Sequence, residues 1–237
     1  MAWKVVIHRP GGDEQLQVEE YPSPEPGAGQ VAIAVRAIGV NYADVSVRTG
    51  GCLTQLLRIA DCEVTGVVGR SHKVEAARAH GAHHVIDKSK QPLWTEAERV
   101  APEGFDLILD ANGVETLAQS YAHLRRPGKL VVYGFHTMMP RKRGRPRLLS
   151  LVLSYFRTAR FSPFDMVQQS RSVLAFNLSY LFDRAELFEE ARRDMERWLS
   201  DGRLKPPPVT FYPLDDVAKA HAEIESGETT GKLVLLP

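Results

Sequence analysis

Residues 64–87 read VTGVVGRSHKVEAARAHGAHHVID, and their pattern sets the fold class. Val64 to Val68 is a short apolar run bounded by Gly69 and reads as a strand. Val74 to His80 reads as a helix stopped by Gly81, placed after the C-cap where a left-handed backbone favours glycine. His84 to Ile86 begins a second strand. Further along, a helical stretch around Thr95 to Val100 precedes two more apolar runs, Phe105 to Leu109 and Leu130 to Tyr133. Strands alternating with helices at this spacing imply βαβ units and a parallel sheet. On the N-terminal side, Leu53, Leu56, Leu57 and Ala60 fall at i, i+3, i+4 and i+7. That spacing predicts a helix burying those four residues, with Gln55 and Arg58 turned outward.

The two ends of the chain read differently. Trp3 to His8 and Val31 to Ala37 are β-type runs on either side of the turn-rich stretch Tyr21 to Gly29, so the opening fifty residues look like β meander. Residues 183–200 form a charged helix pattern, broken by Lys205-Pro206-Pro207-Pro208 before a β-type run, Val209 to Tyr212. A helix from about Asp215 and a terminal strand, Leu233 to Leu236, close the chain. Its 237 residues are 43% apolar and 25% charged, enough to bury a full core but marginal for two complete domains. Lysine and arginine number 30 against 29 acidic residues, and a net charge of +1 argues against nucleic-acid binding driven by overall charge. No run of 18 apolar residues spans a bilayer, and MAWKVVIHRPGG turns polar too early for a secretory signal, so a cytoplasmic chain is expected. Cys52 and Cys62 match neither a disulfide framework nor a zinc site and read as inert thiols.

In a doubly wound sheet the ligand sits beyond the carboxyl ends of the strands, where helix N-termini favour phosphate. Three such ends are candidates. Thr49-Gly50-Gly51 precedes the first helix, and Gly50 and Gly51 would let a pyrophosphate approach the backbone, although a glycine pair there also serves as a plain turn. Gly69-Arg70-Ser71-His72-Lys73 follows the strand Val64 to Val68. An acidic residue at that position suits the 2′-hydroxyl of NAD, whereas Arg70, Ser71 and Lys73 favour the 2′-phosphate of NADP; the bland alternative is a solvated basic loop. Asp110-Ala111-Asn112-Gly113 follows Phe105 to Leu109 and suits a nicotinamide ribose or simply a turn.

Together these pieces carry a resemblance. Gly39-Val40-Asn41-Tyr42-Ala43-Asp44, with Arg48 and Gly50, resembles the N-F/Y-x-D…R-x-G stretch of quinone oxidoreductases in the medium-chain dehydrogenase/reductase superfamily. Lys73 to Asp87, Phe105 to Gly113 and Arg126-Pro127-Gly128-Lys129 to Gly134 continue it in order. Residues 202–237, with Tyr-Pro-Leu-Asp-Asp-Val-Ala-Lys-Ala-His and a final Gly-Lys-Leu-Val-Leu, are its most specific part. Phe176 to Leu181 is similar to the branch that contains the synaptic vesicle membrane protein VAT-1. The resemblance implies a truncated Rossmann-like α/β fold with partial GroES-like β segments at both ends. It divides the chain into a GroES-like segment at 1–50, an NADP-binding Rossmann-like domain at 51–176 and a segment at 177–237 that returns to the GroES-like part. By the same pattern, roughly a hundred residues are absent after Gly50, including the rest of the barrel and the first Rossmann strand. Val45 and Val47 alternate poorly for a makeshift central strand, so an incomplete or rewired sheet is expected.

The resemblance also implies NADPH-dependent reduction of a quinone or activated alkene by direct hydride transfer. Asn41 and Tyr42 would then contact nicotinamide and substrate, Tyr42 as a donor to the developing oxyanion; as structure alone they are a turn former and a core edge. Asn112, Gly113, Gly134 and Phe135 would join Gly50, Gly51, Arg70, Ser71 and Lys73 in holding the cofactor. Zinc is not expected, since His8 is the sole histidine before His72 and neither cysteine lies near it. None of the seven tyrosines has a lysine four residues on, which excludes the short-chain dehydrogenase pair. His83, His84 and His221 read as surface or satisfied core histidines.

Charge opens another reading. Thr116 to Phe164 holds ten lysines and arginines and no acidic residue, densest at Arg141-Lys142-Arg143-Gly144-Arg145-Pro146-Arg147. Arg-Gly-Arg-Pro resembles an AT-hook core, which binds the minor groove. With the apolar run that follows, residues 141–157 equally suit an anionic membrane surface, and a solvated basic loop is the plainest reading. The expected partners are a quinone or enone substrate, a second copy by analogy and a peripheral membrane contact, rather than nucleic acid. Against turnover stands the absent barrel, since hydride would face water; the alternative is a catalytically inactive cofactor-binding or interaction remnant.

Overall fold

The computed structural model describes residues 2–9, 12–23, 25–40, 51–135, 148–181 and 183–237. The candidates Asn41, Tyr42 and Gly50, the Val45 to Val47 run and the basic run 141–147 lie outside the described residues. The chain forms two compact units, one built from the two ends and one from the middle.

The end unit takes its described residues from 1–49 and 207–237. Strands β1 (Ala2–Ile7) and β2 (Leu16–Tyr21) form an antiparallel hairpin with Val5 opposite Val18. A second sheet has β10 (Lys232–Leu236) at its centre, antiparallel to β3 (Ile38–Val40) and parallel to β9 (Val209–Pro213). Helix α8 (Val217–Ser226) makes the crossover between the parallel pair. Val217, Ala220 and Ile224 recur at i, i+3 and i+7 on one helix face and are buried with Leu233, Leu235, Tyr212 and Val40. Val5, Leu16 and Val18 of the hairpin pack on the same core. The expected strand over Val31 to Ala37 does not form; pairing starts at Ile38. A β-type run becomes a strand only when another strand satisfies its backbone, and among the described residues none pairs with 31–37.

The middle unit spans 50–141 and 146–206. Helix α1 (Gly51–Ile59) leads to β4 (Thr65–Val68), then α2 (Val74–Ala79), β5 (His84–Asp87) and α3 (Leu93–Val100). They are followed by β6 (Phe105–Asp110), α4 (Leu117–Ala122), β7 (Leu124–Val132), α5 (Leu148–Arg157), α6 (Pro163–Gln169), β8 (Arg171–Ala175) and α7 (Ala185–Ser200). All strand pairs here are parallel, in two separate sheets, β4-β5 and β6-β7-β8. The doubly wound order 3-2-1-4-5-6 places β5 and β4 as its third and second strands and β6, β7 and β8 as its last three. Among the described residues no strand pairs with both β4 and β6. Leu117, Leu124, Leu130 and Val132 form the buried core on one face of the three-stranded sheet.

Two expectations need correction. Gln55 is buried rather than turned outward, along with Thr54, because Gln55 Nε2 donates to the Lys205 carbonyl at 3.1 Å and its Oε1 accepts from the Lys205 amide at 2.7 Å. Leu53, Leu56 and Leu57 are half-buried and Ala60 is exposed. That same bidentate clamp ties the proline-rich connection to α1. Residues 177–206 therefore cluster with the middle unit, so the division falls after residue 206 rather than after 176.

Candidate functional site

Two clusters of the expected residues stand at carboxyl ends of parallel strands, one on each sheet. The first follows β4. The Lys88 amide donates to the Val68 carbonyl at 3.0 Å, which holds the ends of β4 and β5 side by side. Arg70 is in extended conformation, and Ser71 to Lys73 make a short 3₁₀ turn into α2. The Ser71 hydroxyl donates to Asp87 Oδ2 at 2.6 Å, while the Ser89 amide and hydroxyl donate to Oδ1 at 2.9 and 2.5 Å. Hydrogen bonds from Ser71 and then Ser89 hold the Asp87 carboxyl below the usual range, against the opposing effect of burial.

This bonding alters the expected roles. A serine hydroxyl has one proton, and Ser71 commits it to Asp87, so toward an incoming phosphate it presents a lone pair. Lys73 is buried, whereas Arg70 is exposed. Of the three residues, Arg70 is the exposed one. Asp87 was missed in the sequence because HHVID reads as the end of a strand. The sequence signal was an acidic residue closing an apolar run at the carboxyl edge.

The second cluster is organised by Asp110, which is only 4% exposed. Its Oδ1 accepts from the Asn112 amide at 2.8 Å, the Gly113 amide at 3.0 Å and the Thr116 hydroxyl at 2.9 Å, and Oδ2 accepts from Ser120 at 2.7 Å. A buried carboxylate with four donors bends the chain from β6 into the N-terminus of α4. The Tyr133 amide donates to the Asp110 carbonyl at 3.0 Å, which brings the end of β7 alongside. Two glycines make the close approach feasible. A Cβ on Gly113, whose φ is +84°, would lie 2.6 Å from Phe135 Cδ1, and one on Gly134 would lie 2.9 Å from the Ala111 carbonyl oxygen. Asn112, Gly113, Gly134 and Phe135 are thus brought together as two interlocked loops.

Tyr133 stacks on Phe176, ring centroids 6.3 Å apart and planes nearly parallel. Burial, and then the charge of Asp110, push its phenol up to about 12. Beside Phe135 a shallow cleft of about 340 Å3 is lined also by Tyr155, Thr158, Ala159 and Arg160. Gly51 is the first residue of α1. His83 and His84 serve locally: His83 Nδ1 accepts from the Val64 amide at 2.9 Å, and His84 contacts Glu63 at 3.0 Å. Among the described residues no three His, Cys, Asp or Glu side chains converge as a metal-ligating group.

Comparison with known proteins agrees with this architecture. A family model described as zinc-binding dehydrogenase matches residues 80–235. The human synaptic vesicle membrane protein VAT-1 homolog is 26% identical over 220 residues, covering 92% of this chain and 52% of its own. Human quinone oxidoreductase is 24% identical over 205 residues, with 86% and 55% covered. The chain spans about half the length of the curated relatives it matches. The solved structure of Escherichia coli quinone oxidoreductase complexed with NADPH superposes with a TM-score of 0.78 at 18% identity, covering 100% of both chains. That likeness establishes the α/β fold.

Proposed function

The chain belongs to the zinc-binding dehydrogenase family, within the medium-chain dehydrogenase/reductase superfamily, and from that premise we propose an NADPH-dependent oxidoreductase that transfers hydride to a quinone or activated alkene without zinc. The observation that carries the reading is the placing of both clusters at carboxyl ends of parallel strands, where doubly wound folds bind dinucleotides. The residues present fit such a cofactor at its two ends. Arg70 would pair with the 2′-phosphate, with Lys73 adding positive charge from beneath. Asn112, Gly113, Gly134 and Phe135 would hold the nicotinamide ribose against the interlocked loops. Gly50 and Gly51 would receive the pyrophosphate at the head of α1.

When bound, NADPH supplies the hydride. What this chain's residues contribute is position and exclusion of water. The Asp110 network fixes the floor of the site, and Phe135 with Tyr155 and Arg160 offers an aromatic and cationic wall for a planar, electron-poor substrate. In this reading Asn41 orients the nicotinamide, and Tyr42 donates to the oxyanion that develops on the substrate. A homodimer and peripheral contact between residues 141–157 and anionic lipid belong to the same reading. Exposure of Val152, Tyr155 and Phe156 on α5 supports the lipid contact, while no helix among the described residues is long and apolar enough to cross a membrane.

Calorimetric titration with NADPH and NADH tests the proposal: NADPH should bind more tightly, and its fluorescence should decay when a small quinone is added. Absence of binding by either nucleotide refutes it. Binding without decay would instead indicate a cofactor-binding chain that does not turn over.

A further inference from the structure

Tyr121, Ala159 and Phe161 pack on the core of Leu117, Leu124, Leu130 and Val132. Beside them lies a second cleft, of about 210 Å3, lined by Tyr121 of α4, by Arg160 and Phe161, and by Asp165 and Gln169 of α6. Ala159 and Arg160 line both this cleft and the one beside Phe135.

Two enclosed polar atoms at this place have no hydrogen-bond partner among the described residues, Tyr121 Oη and Arg171 Nε. They belong to one cluster. The Tyr121 ring meets Phe161 with centroids 5.0 Å apart, and the Arg171 guanidinium carbon lies 5.6 Å from the Tyr121 centroid. Arg171 Nη1 donates to Gln169 Oε1 at 3.0 Å, which ties the cation to a side chain of the cleft. An enclosed donor without an acceptor is a standing cost that folded chains rarely carry, and an acceptor that reaches it removes that cost.

The chemistry of these groups selects a ligand. Arg171 Nε–H can only donate and the phenol has one proton to give, so the matching atom is an oxygen acceptor. Two guanidinium groups, Arg160 and Arg171, stand against one carboxylate, Asp165, and favour an anion. Tyr121 and Phe161 offer ring surface to a flat apolar body. The cleft is smaller than the roughly 300–1,000 Å3 of sites for drug-sized ligands, so its occupant is small.

We propose that this cleft binds a small aromatic carboxylate, its ring against Phe161 and its carboxylate accepting from the Tyr121 hydroxyl and the Arg171 Nε–H. No hydrogen bond holds that hydroxyl, so a small rotation of the side chain turns it to the cleft that Tyr121 already lines. Arg171 begins β8 at the amino end of the parallel sheet, whereas both clusters of the proposed cofactor site stand at carboxyl ends. The inference is therefore independent of the redox reading, and its test needs neither NADPH nor turnover.

Benzoate is the probe, and benzamide, the same ring without the charge, is its control. NMR titration of the full chain should show saturable shifts of the amides at 118–122 and 159–171 with benzoate, and roughly tenfold weaker binding of benzamide. Tyr121→Phe should lower the affinity for benzoate roughly tenfold. The melting temperature of the free Tyr121→Phe chain should be unchanged or higher, because the substitution deletes a hydroxyl that bonds nothing. Arg160→Gln should weaken binding, and Asp165→Asn should tighten it by removing a like charge. Shifts that do not saturate, equal binding of benzamide, or weaker binding by Asp165→Asn each overturn the inference. So does a Tyr121→Phe chain that melts lower yet binds benzoate as the wild type does, since the hydroxyl would then serve the fold alone.

Discussion

Replacing Asp110 with alanine tests whether one carboxylate organises the second cluster. The substitution removes the acceptor for four donors. The Asn112 amide and the Thr116 hydroxyl are half-buried and can turn to water, but Gly113 and Ser120 are buried. Each stranded buried donor costs about 1.5–2 kcal/mol, so Asp110→Ala should destabilise the middle unit by about 3–4 kcal/mol. For a unit of this size that lowers the melting temperature by roughly 6–15 °C. Asp110→Asn keeps one carbonyl oxygen for the two amides and turns an NH2 toward Ser120, whose hydroxyl can rotate to accept it. Its loss should be about 1 kcal/mol. Thermal unfolding followed by circular dichroism measures both, and hydrogen exchange at residues 112–120 localises the effect. If the two variants melt together within about 1 kcal/mol, the network is not what holds the loop.

Further tests separate site from scaffold. Arg70→Glu should weaken NADPH binding by roughly ten- to a hundredfold and leave NADH nearly unchanged, since a charge-assisted contact is worth about 1.5–3 kcal/mol; calorimetry reads the ratio. Gly134→Ala forces a Cβ to within 2.9 Å of the Ala111 carbonyl oxygen and should destabilise by about 1–3 kcal/mol while shifting Phe135, measured by urea unfolding. Tyr133 supplies a pH signature. Its folded value of about 12 lies above the ordinary 10.0, so the unfolded chain loses this proton first as pH rises. The associated stability is complete below pH 10 and is lost on the way to about 12. Urea midpoints across that range should fall more steeply for the wild type than for Tyr133→Phe, and parallel slopes would contradict the burial of the phenol.

The middle of the chain was legible because its elements are local. The strand ending at Val68, the helix stopped at Gly81, where φ is +100°, and the runs from His84 and Phe105 all fold close to where periodicity puts them. What failed was non-local. Val31 to Ala37 has strand composition, but composition cannot reveal whether a partner exists. Gln55 looked solvated because its bond to Lys205 spans 150 residues. The strands Leu16–Tyr21 and Arg171–Ala175 and the helix Pro163–Gln169 are short, and the helix Leu148–Arg157 was read as an apolar run rather than as a helix.

The candidate site divides along the same line. That Asn112, Gly113, Gly134 and Phe135 come together was legible because loops at the ends of adjacent parallel strands must meet, whatever bonds hold them. The bond from Ser71 to Asp87 was not legible, because a hydroxyl's donor is assigned by the nearest strong acceptor and Asp87 sits on a different strand. This bears on selectivity. With the Ser71 proton committed and a carboxylate 2.6 Å behind it, the turn after β4 is less attractive to a phosphate dianion than its side-chain list suggests. Arg70 must then carry most of any preference for NADPH. Ser71→Ala separates the possibilities: it removes the tether on Asp87 without removing a donor that the phosphate could use. The preference for NADPH over NADH should therefore hold within about threefold, about 0.6 kcal/mol. A collapse of that preference to the level of Arg70→Glu would mean that Ser71 turns its proton to the phosphate once the cofactor arrives.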